Sequence, residues 1–256
     1  MKKYTHLFSK IPGLKPTLSQ QYNQEIQMGK IAGRVKKWPK EWTKTYYKGY
    51  PRFPAFKLNE PTNITNPFDQ IMNNRISTRD FADRPFSYQD LSNILYYSAG
   101  ENKTRKTKLI NYRFYPAAGA RYPFEIYPII MNVNGLNQGI YHYYVRNNLL
   151  EMLEQKIISK SFLSNAFGRI EWPNASVFLV ISSLFFRTQM KYHEAGYKMI
   201  LMDLGHLCQN IYLTCSALNI GCCEINGHSN SMFNELLDLD GWRESTLIVM
   251  ALGNKK

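Results

Sequence analysis

The sequence predicts an α+β fold. Strand-like and helix-like segments mix without the regular β–α–β alternation of a doubly wound sheet. Four apolar runs, residues 125–132, 139–145, 176–184 and 246–252, have the length and composition of buried strands. One stretch, residues 195–219, is helical and carries apolar residues on more than one face, which marks a helix buried by its own fold or by another subunit. A chain of 256 residues, 44% hydrophobic and 14% aromatic, can bury a core without disulfides or metals.

The elements follow in order. Residues 1–60 have several prolines and no clean periodicity, so they are expected to form an N-terminal arm ahead of a domain spanning 61–256. The opening MKKYTHLFSKIPGL is basic but has no apolar h-region, so no signal peptide is expected. No window approaches the roughly 18 apolar residues of a spanning helix. Asn66-Pro67 opens a short helix, PFDQIMNNR. Ser87 caps a stronger one, with Leu91, Ile94 and Leu95 as its stripe and Gly100 at its end. Lys103, Arg105, Lys106 and Lys108 suggest an exposed loop. The strands at 125–132 and 139–145 are joined through the turn residues Asn134-Gly135. Residues 161–167 suggest a short helix, and SVFLVISSL, a near-continuous apolar run, a central strand. TLIVMAL is the last strand.

Charge narrows the partners. The net charge is +13, and between Lys30 and Arg52 eight basic residues meet a single acid, Glu41, with Trp38, Trp42, Tyr46, Tyr47 and Tyr50 interleaved. Basic and aromatic residues together can stack nucleic-acid bases. No RNP, helix-turn-helix or zinc-finger spacing accompanies them, so a segment anchored on its own domain is preferred and no nucleic-acid partner is expected. The cysteines, Cys208, Cys215, Cys222 and Cys223, crowd one apolar stretch and lack zinc spacing. Reduced thiols, a cytoplasmic location and no metal are expected. His142, inside a strand, is expected to be structural.

Four stretches could carry chemistry. Arg75-Ile76-Ser77-Thr78-Arg79 sets two guanidinium groups around a hydroxyl, a donor set suited to phosphate; the same residues also make an ordinary basic turn. Pro116-Ala117-Ala118-Gly119-Ala120, just before a strand, lets a flat ring approach the backbone, or is a tight loop packed on the sheet. Lys191-Tyr192 can form a proton-transfer pair if one pKa is pulled toward neutrality, or be a surface Lys beside a packed Tyr. Asn226-Gly227, in a turn after the long helix, could face a ligand. There is no dinucleotide fingerprint, Walker loop or nucleophile elbow.

In order, RISTRDF, YPAAGARYPFEIY, GIYHYY, FRTQMKYHEAGYKMILMDLGHLCQNIYL and a terminal ALG resemble the SagB-type (ThcOx-type) dehydrogenases, FMN enzymes of the nitroreductase superfamily. The resemblance covers about residues 67–254, and the arm is similar to the family's N-terminal segment. It implies a three-layer sandwich with a central, mostly antiparallel sheet and a long buried helix, in an intertwined homodimer with FMN at the interface. It implies that Arg75, Ile76 and Ser77 hold FMN phosphate and ribityl and that Arg79 faces the pyrimidine edge. Pro116, Ala117, Ala118, Gly119 and Ala120 would lie along the isoalloxazine, Asn226 and Gly227 near N5, and Lys191 and Tyr192 would match the Lys-Tyr pair of azoline dehydrogenases. Three positions depart from the family. Ala117 replaces a common Ser, Asp203 a common Glu, and the Asn226 turn lacks the usual Gly-Phe. The implied activity is dehydrogenation of thiazolines or oxazolines to azoles in a ribosomally made peptide, with a separate cyclodehydratase supplying the substrate. The alternatives are an NAD(P)H-fed flavin reductase of nitro, quinone or dehydroamino-acid substrates, and a non-catalytic assembly subunit.

Overall fold

The computed structural model describes residues 18–25, 44–107 and 110–256. Most of the basic, aromatic stretch, including Trp38 and Trp42, lies outside the described residues, as does Lys108. The helices are α1 (Leu18–Glu25), α2 (Phe68–Asn74), α3 (Tyr88–Ala99), α4 (Lys160–Ala166), α5 (Phe186–Tyr192), α6 (Ala195–Ala217) and α7 (Asn230–Leu236). The strands are β1 (Ala55–Lys57), β2 (Glu101–Lys106), β3 (Asn111–Arg113), β4 (Phe124–Ile130), β5 (Gly139–Tyr144), β6 (Leu149–Gln155), β7 (Val177–Leu184), β8 (Ile220–Ile225) and β9 (Glu244–Asn254).

Seven strands form one sheet in the order β1-β6-β5-β4-β7-β9-β8, and every ladder in it is antiparallel. Side chains alternate across a strand, and here both faces are covered, so β4 and β7 are buried along almost their whole length and are largely apolar. Val177, Leu179 and Ile181 of β7 and Ile248, Met250 and Leu252 of β9 pack under Leu91, Ile94 and Leu95 of α3 and Ile200, Leu207 and Ile211 of α6. Phe178, Val180, Val249 and Ala251 face the other way, against Phe167, Phe233 and Leu237 around α4 and α7. The result is the expected α+β sandwich of three layers: α3 with α6, the sheet, and α4 with α7.

The local signals place the ends of the helices. The Ser87 side chain accepts the Asp90 N–H at 3.2 Å, and the Gly100 N–H closes α3 on Tyr96 O at 2.8 Å. Helix α6 buries Ile200, Leu204, Leu207 and Ile211 against its own fold and leaves Tyr197, Leu201 and Met202 exposed in the single chain. Two expectations are corrected. Residues 101–106 pair with β3 as a strand rather than forming a loop. Lys191-Tyr192 does not enter the long helix directly but ends a separate helix, α5, broken by His193 at φ +48°.

The chain from Lys44 to Arg52 crosses the sheet as a strap, and buried charges hold it. Lys48 Nζ donates to Glu244 at 2.6 Å and to the Tyr127 hydroxyl at 2.7 Å. The Tyr50 N–H donates to Glu151 at 2.8 Å. His142 lies between Glu151, 2.8 Å from Nδ1, and Glu125, 2.9 Å from Nε2, and Arg187 pairs with Glu125 at 2.6 Å. Burial pushes the Glu125 carboxyl up, but Arg187 and His142 overrule it and hold it at about 2. Burial pushes His142 down, but its two carboxylates overrule that and raise it. His142 is therefore structural, as its place in a strand suggested.

Candidate active site

Helix α6 carries two clusters of polar residues. The first surrounds Asp203. The loop before β4 reaches it through backbone in the left-handed region: Gly119 at φ +58°, Ala120 at +52° and Tyr122 at +46°. The Ala118 N–H donates to Asp203 Oδ2 at 2.8 Å. This seats Gly119 over Lys191 and Tyr192. A Cβ on Gly119 would fall 2.6 Å from the Tyr192 hydroxyl and 2.8 Å from Lys191 Nζ, so those side chains would have to move, and the left-handed backbone strains any side chain there. The small-residue loop and the Lys-Tyr pair, with Gly119 and Lys191 separated by 72 positions in sequence, form one wall.

Electrostatics set these groups apart from the strap. Lys191 is 9% exposed, and burial, reinforced by the Arg121 guanidinium, lowers its pKa. Its Nζ lies 5.1 Å from the centroid of the Tyr192 ring. Burial raises the Tyr192 phenol; Arg121 opposes the shift and Asp203 adds to it. Burial pushes the Asp203 carboxyl up to about 6, against the Ala118 N–H and His206, whose Nδ1 is 3.8 Å away. Arg121 is itself fixed: its Nε donates to Arg187 O at 3.1 Å and its Nη2 to Lys44 O at 2.9 Å. The strap is thereby tied to the back of the site.

The second cluster surrounds Tyr212. The Thr78 N–H donates to Cys222 O at 2.9 Å, which lays the Arg75–Arg79 segment along the edge strand β8. Arg75 stacks over the Tyr212 ring at 5.6 Å, and Ser77 Oγ lies 3.3 Å from the Tyr212 hydroxyl, which also accepts the Glu224 N–H at 2.7 Å. Ile76 and Arg79 are exposed beside them. Asn226 and Gly227 are exposed at the end of β8, with Asn226 Nδ2 donating to Glu224 at 2.9 Å. Lys256 pairs with Asp80. Two guanidinium groups and a hydroxyl on one turn form a donor set that fits a phosphate dianion, while the first cluster offers a loop of small side chains.

Sequence reasoning missed Arg121 and Tyr212 and noted Asp203 only as a departure from the family. A carboxylate on the apolar face of a buried helix is the signal that could have singled out Asp203. A cavity of about 500 Å³ lined by Trp172, Phe178, Asn132 and Gln138 opens on the α4 side of the sheet and shares no residue with either cluster. All four cysteines are free and buried. Among the described residues no cluster of His, Cys, Asp and Glu could hold a metal, and no helix is long and apolar enough to cross a membrane.

Comparison with known proteins agrees with this architecture. The profile of the nitroreductase family matches residues 72–254. A candidate nitroreductase of Methanocaldococcus jannaschii is 28% identical over 73% of this chain and 90% of its own length. The microcin B17-processing protein McbC of Escherichia coli is 28% identical over 56% of this chain, a match spanning 54% of the McbC length. Among solved structures, a chain of the E. coli microcin synthetase McbBCD complex with truncated pro-MccB17 bound superposes with a TM-score of 0.60 at 20% identity, covering 92% of this chain and 86% of that one.

Proposed function

This chain belongs to the nitroreductase family, and from that premise we propose that it is an FMN-dependent dehydrogenase of the SagB (ThcOx) type, oxidising azoline rings in a peptide to azoles. One observation carries the reading. A buried lysine whose ammonium form is disfavoured sits beside a tyrosine, both packed closely against the small-residue loop at Gly119.

Arg75, Ser77 and Arg79 would hold the FMN phosphate, ribityl and pyrimidine edge, with Ile76 among them. Pro116 to Ala120 would lie along the ring, and Asn226 and Gly227 would approach it near N5. When bound, FMN supplies two-electron hydride acceptance at N5. The chain's own residues handle the proton. Lys191, drawn toward its neutral form, is the base for the ring carbon proton, whereas the raised phenol of Tyr192 stays protonated and orients the ring by hydrogen bonding. Arg121 keeps positive charge nearby and supports neutral Lys191.

The two clusters explain why a homodimer is part of the reading. Asp203 and Tyr212 are nine positions apart on α6, about 14 Å along the axis and half a turn around it. The two halves therefore face opposite sides of the helix. A second copy would bring the wall of one chain to the phosphate turn of the other, covering Tyr197, Leu201 and Met202 of α6 and Phe68 and Met72 of α2, all exposed in the single chain. The likeness to McbC supports a peptide substrate supplied by a separate cyclodehydratase. The likeness to the Methanocaldococcus protein favours one rival, an NAD(P)H-fed reductase on the same flavin.

The test is Lys191→Ala. The variant is expected to keep FMN and lose at least about 100-fold in azole formation from an azoline peptide, the usual scale of a proton-transfer group. Full azole formation with FMN retained would overturn the assignment. Rapid bleaching of the flavin by NADPH without oxygen would favour the reductase, and purified protein without flavin colour would favour a non-catalytic subunit.

A further inference from the structure

Asp203 has a bond that an uncharged side chain could make more cheaply. Its side chain is 7% exposed, and the groups facing it compensate the charge only in part. From its own helix comes His206, 48% exposed and 3.8 Å away. From the loop comes the Ala118 N–H, at 2.8 Å. From α5 comes the phenol of Tyr192, and from the stretch before the loop the phenol of Tyr115. Neither phenol supplies positive charge. An asparagine could accept the Ala118 N–H without a buried charge, so titration is what the carboxyl adds.

We propose that Asp203 is a positioning residue that makes the site dependent on pH: ionised, it accepts the Ala118 N–H and seats Gly119 over Lys191 and Tyr192; protonated, it weakens that bond and releases the loop. The geometry gives the proton this leverage. Between Asp203 and the Lys-Tyr pair lies a single backbone residue, Gly119, in a left-handed conformation that needs an anchor on its N-terminal side. Because the carboxyl protonates at about 6, the change falls near neutrality rather than in the ordinary carboxylate range. The inference rests on the loop being the wall of a flavin site, but the anchoring itself can be measured without flavin.

The experiment follows amide exchange at Ala118 in the full-length wild type, Asp203→Asn and Asp203→Leu from pH 4.5 to 7.5, corrected for intrinsic exchange rates. FMN binding is titrated in parallel by flavin fluorescence. In the wild type, protection of Ala118 should fall at least about tenfold between pH 7 and 5, and FMN affinity should fall with it, by at most about tenfold per pH unit for one linked proton. Asp203→Asn keeps an acceptor and should lose the step. Asp203→Leu should leave Ala118 unprotected at every pH while circular dichroism shows the fold intact. A step that persists in Asp203→Asn, or wild-type protection in Asp203→Leu, would overturn the proposal. If no form takes up FMN, the flavin reading fails while the exchange data still decide the role of Asp203.

Discussion

Two sets of buried ionisable groups meet on α5, where Arg187 and Lys191 are about one turn apart, and they behave in opposite ways. Around the strap, Arg187, Glu125, His142 and Glu151 alternate in sign at 2.6–2.9 Å. Burial there is answered by a partner for each group, so Glu125 and His142 are both held in their charged forms. In the site, Lys191 faces Arg121, and Asp203 has one backbone N–H and a distant, half-exposed histidine. The charges there do not offset burial, so both groups are drawn toward neutrality. Burial alone does not decide the state of a buried charge; the sign of the charges around it does. Around the strap opposite partners hold the charged forms; around Lys191 and Asp203 the neutral forms are favoured.

The largest effect should come from breaking the paired set. Glu125→Gln leaves Arg187 and His142 buried without their shared carboxylate and is expected to cost about 3–5 kcal/mol, measured by urea denaturation at pH 7. A change below about 1 kcal/mol would mean that the pairing contributes little. Next comes the pH profile, where the two regions should pull apart. Glu125 is depressed, so its contribution is present above about 4.5 and is lost as pH falls toward 2, at about 3 kcal/mol in full. Asp203 is raised, so stability is full below 3.8 and declines as pH rises through about 6. On acidification from pH 7 the wild type should therefore first gain on Asp203→Asn and then lose on Glu125→Gln, a crossing that equilibrium unfolding of the three proteins can detect.

Smaller changes sharpen the contrast. Gly119→Ala places a methyl group against Tyr192 and Lys191 in a left-handed conformation and should cost about 1–2 kcal/mol, together with a larger loss of FMN affinity than that destabilisation explains. Equal losses would make the loop structural only. Ser87→Ala removes the α3 cap far from both regions and should cost about 1 kcal/mol with no change in the pH crossing.

How much of this was legible beforehand differs from element to element. The cap at Ser87, the apolar run of β7 and the small-residue loop were visible because each rests on local chemistry. Strand β6, LLEMLEQ, was not, since Leu, Met and Glu favour helix and only the ladders to β5 and β1 hold it extended. The strand at 101–106 was hidden for the same reason: its lysines and arginine suggest solvent, and its partner β3 is too short to announce itself.

The sequence by itself determined the α+β class, the positions of most core strands, the basic turn at Arg75–Arg79 and the identity of the Lys-Tyr pair. These follow from periodicity, turn chemistry and motif, which act over a few residues. Only the tertiary structure decided that Gly119 lies on Lys191, that Asp203 holds the loop, that Arg121 ties the strap to the site and that the two clusters face opposite sides of one helix. Such contacts join residues far apart in the chain, and the desolvation that shifts Lys191 and Asp203 exists only once those residues have closed around them.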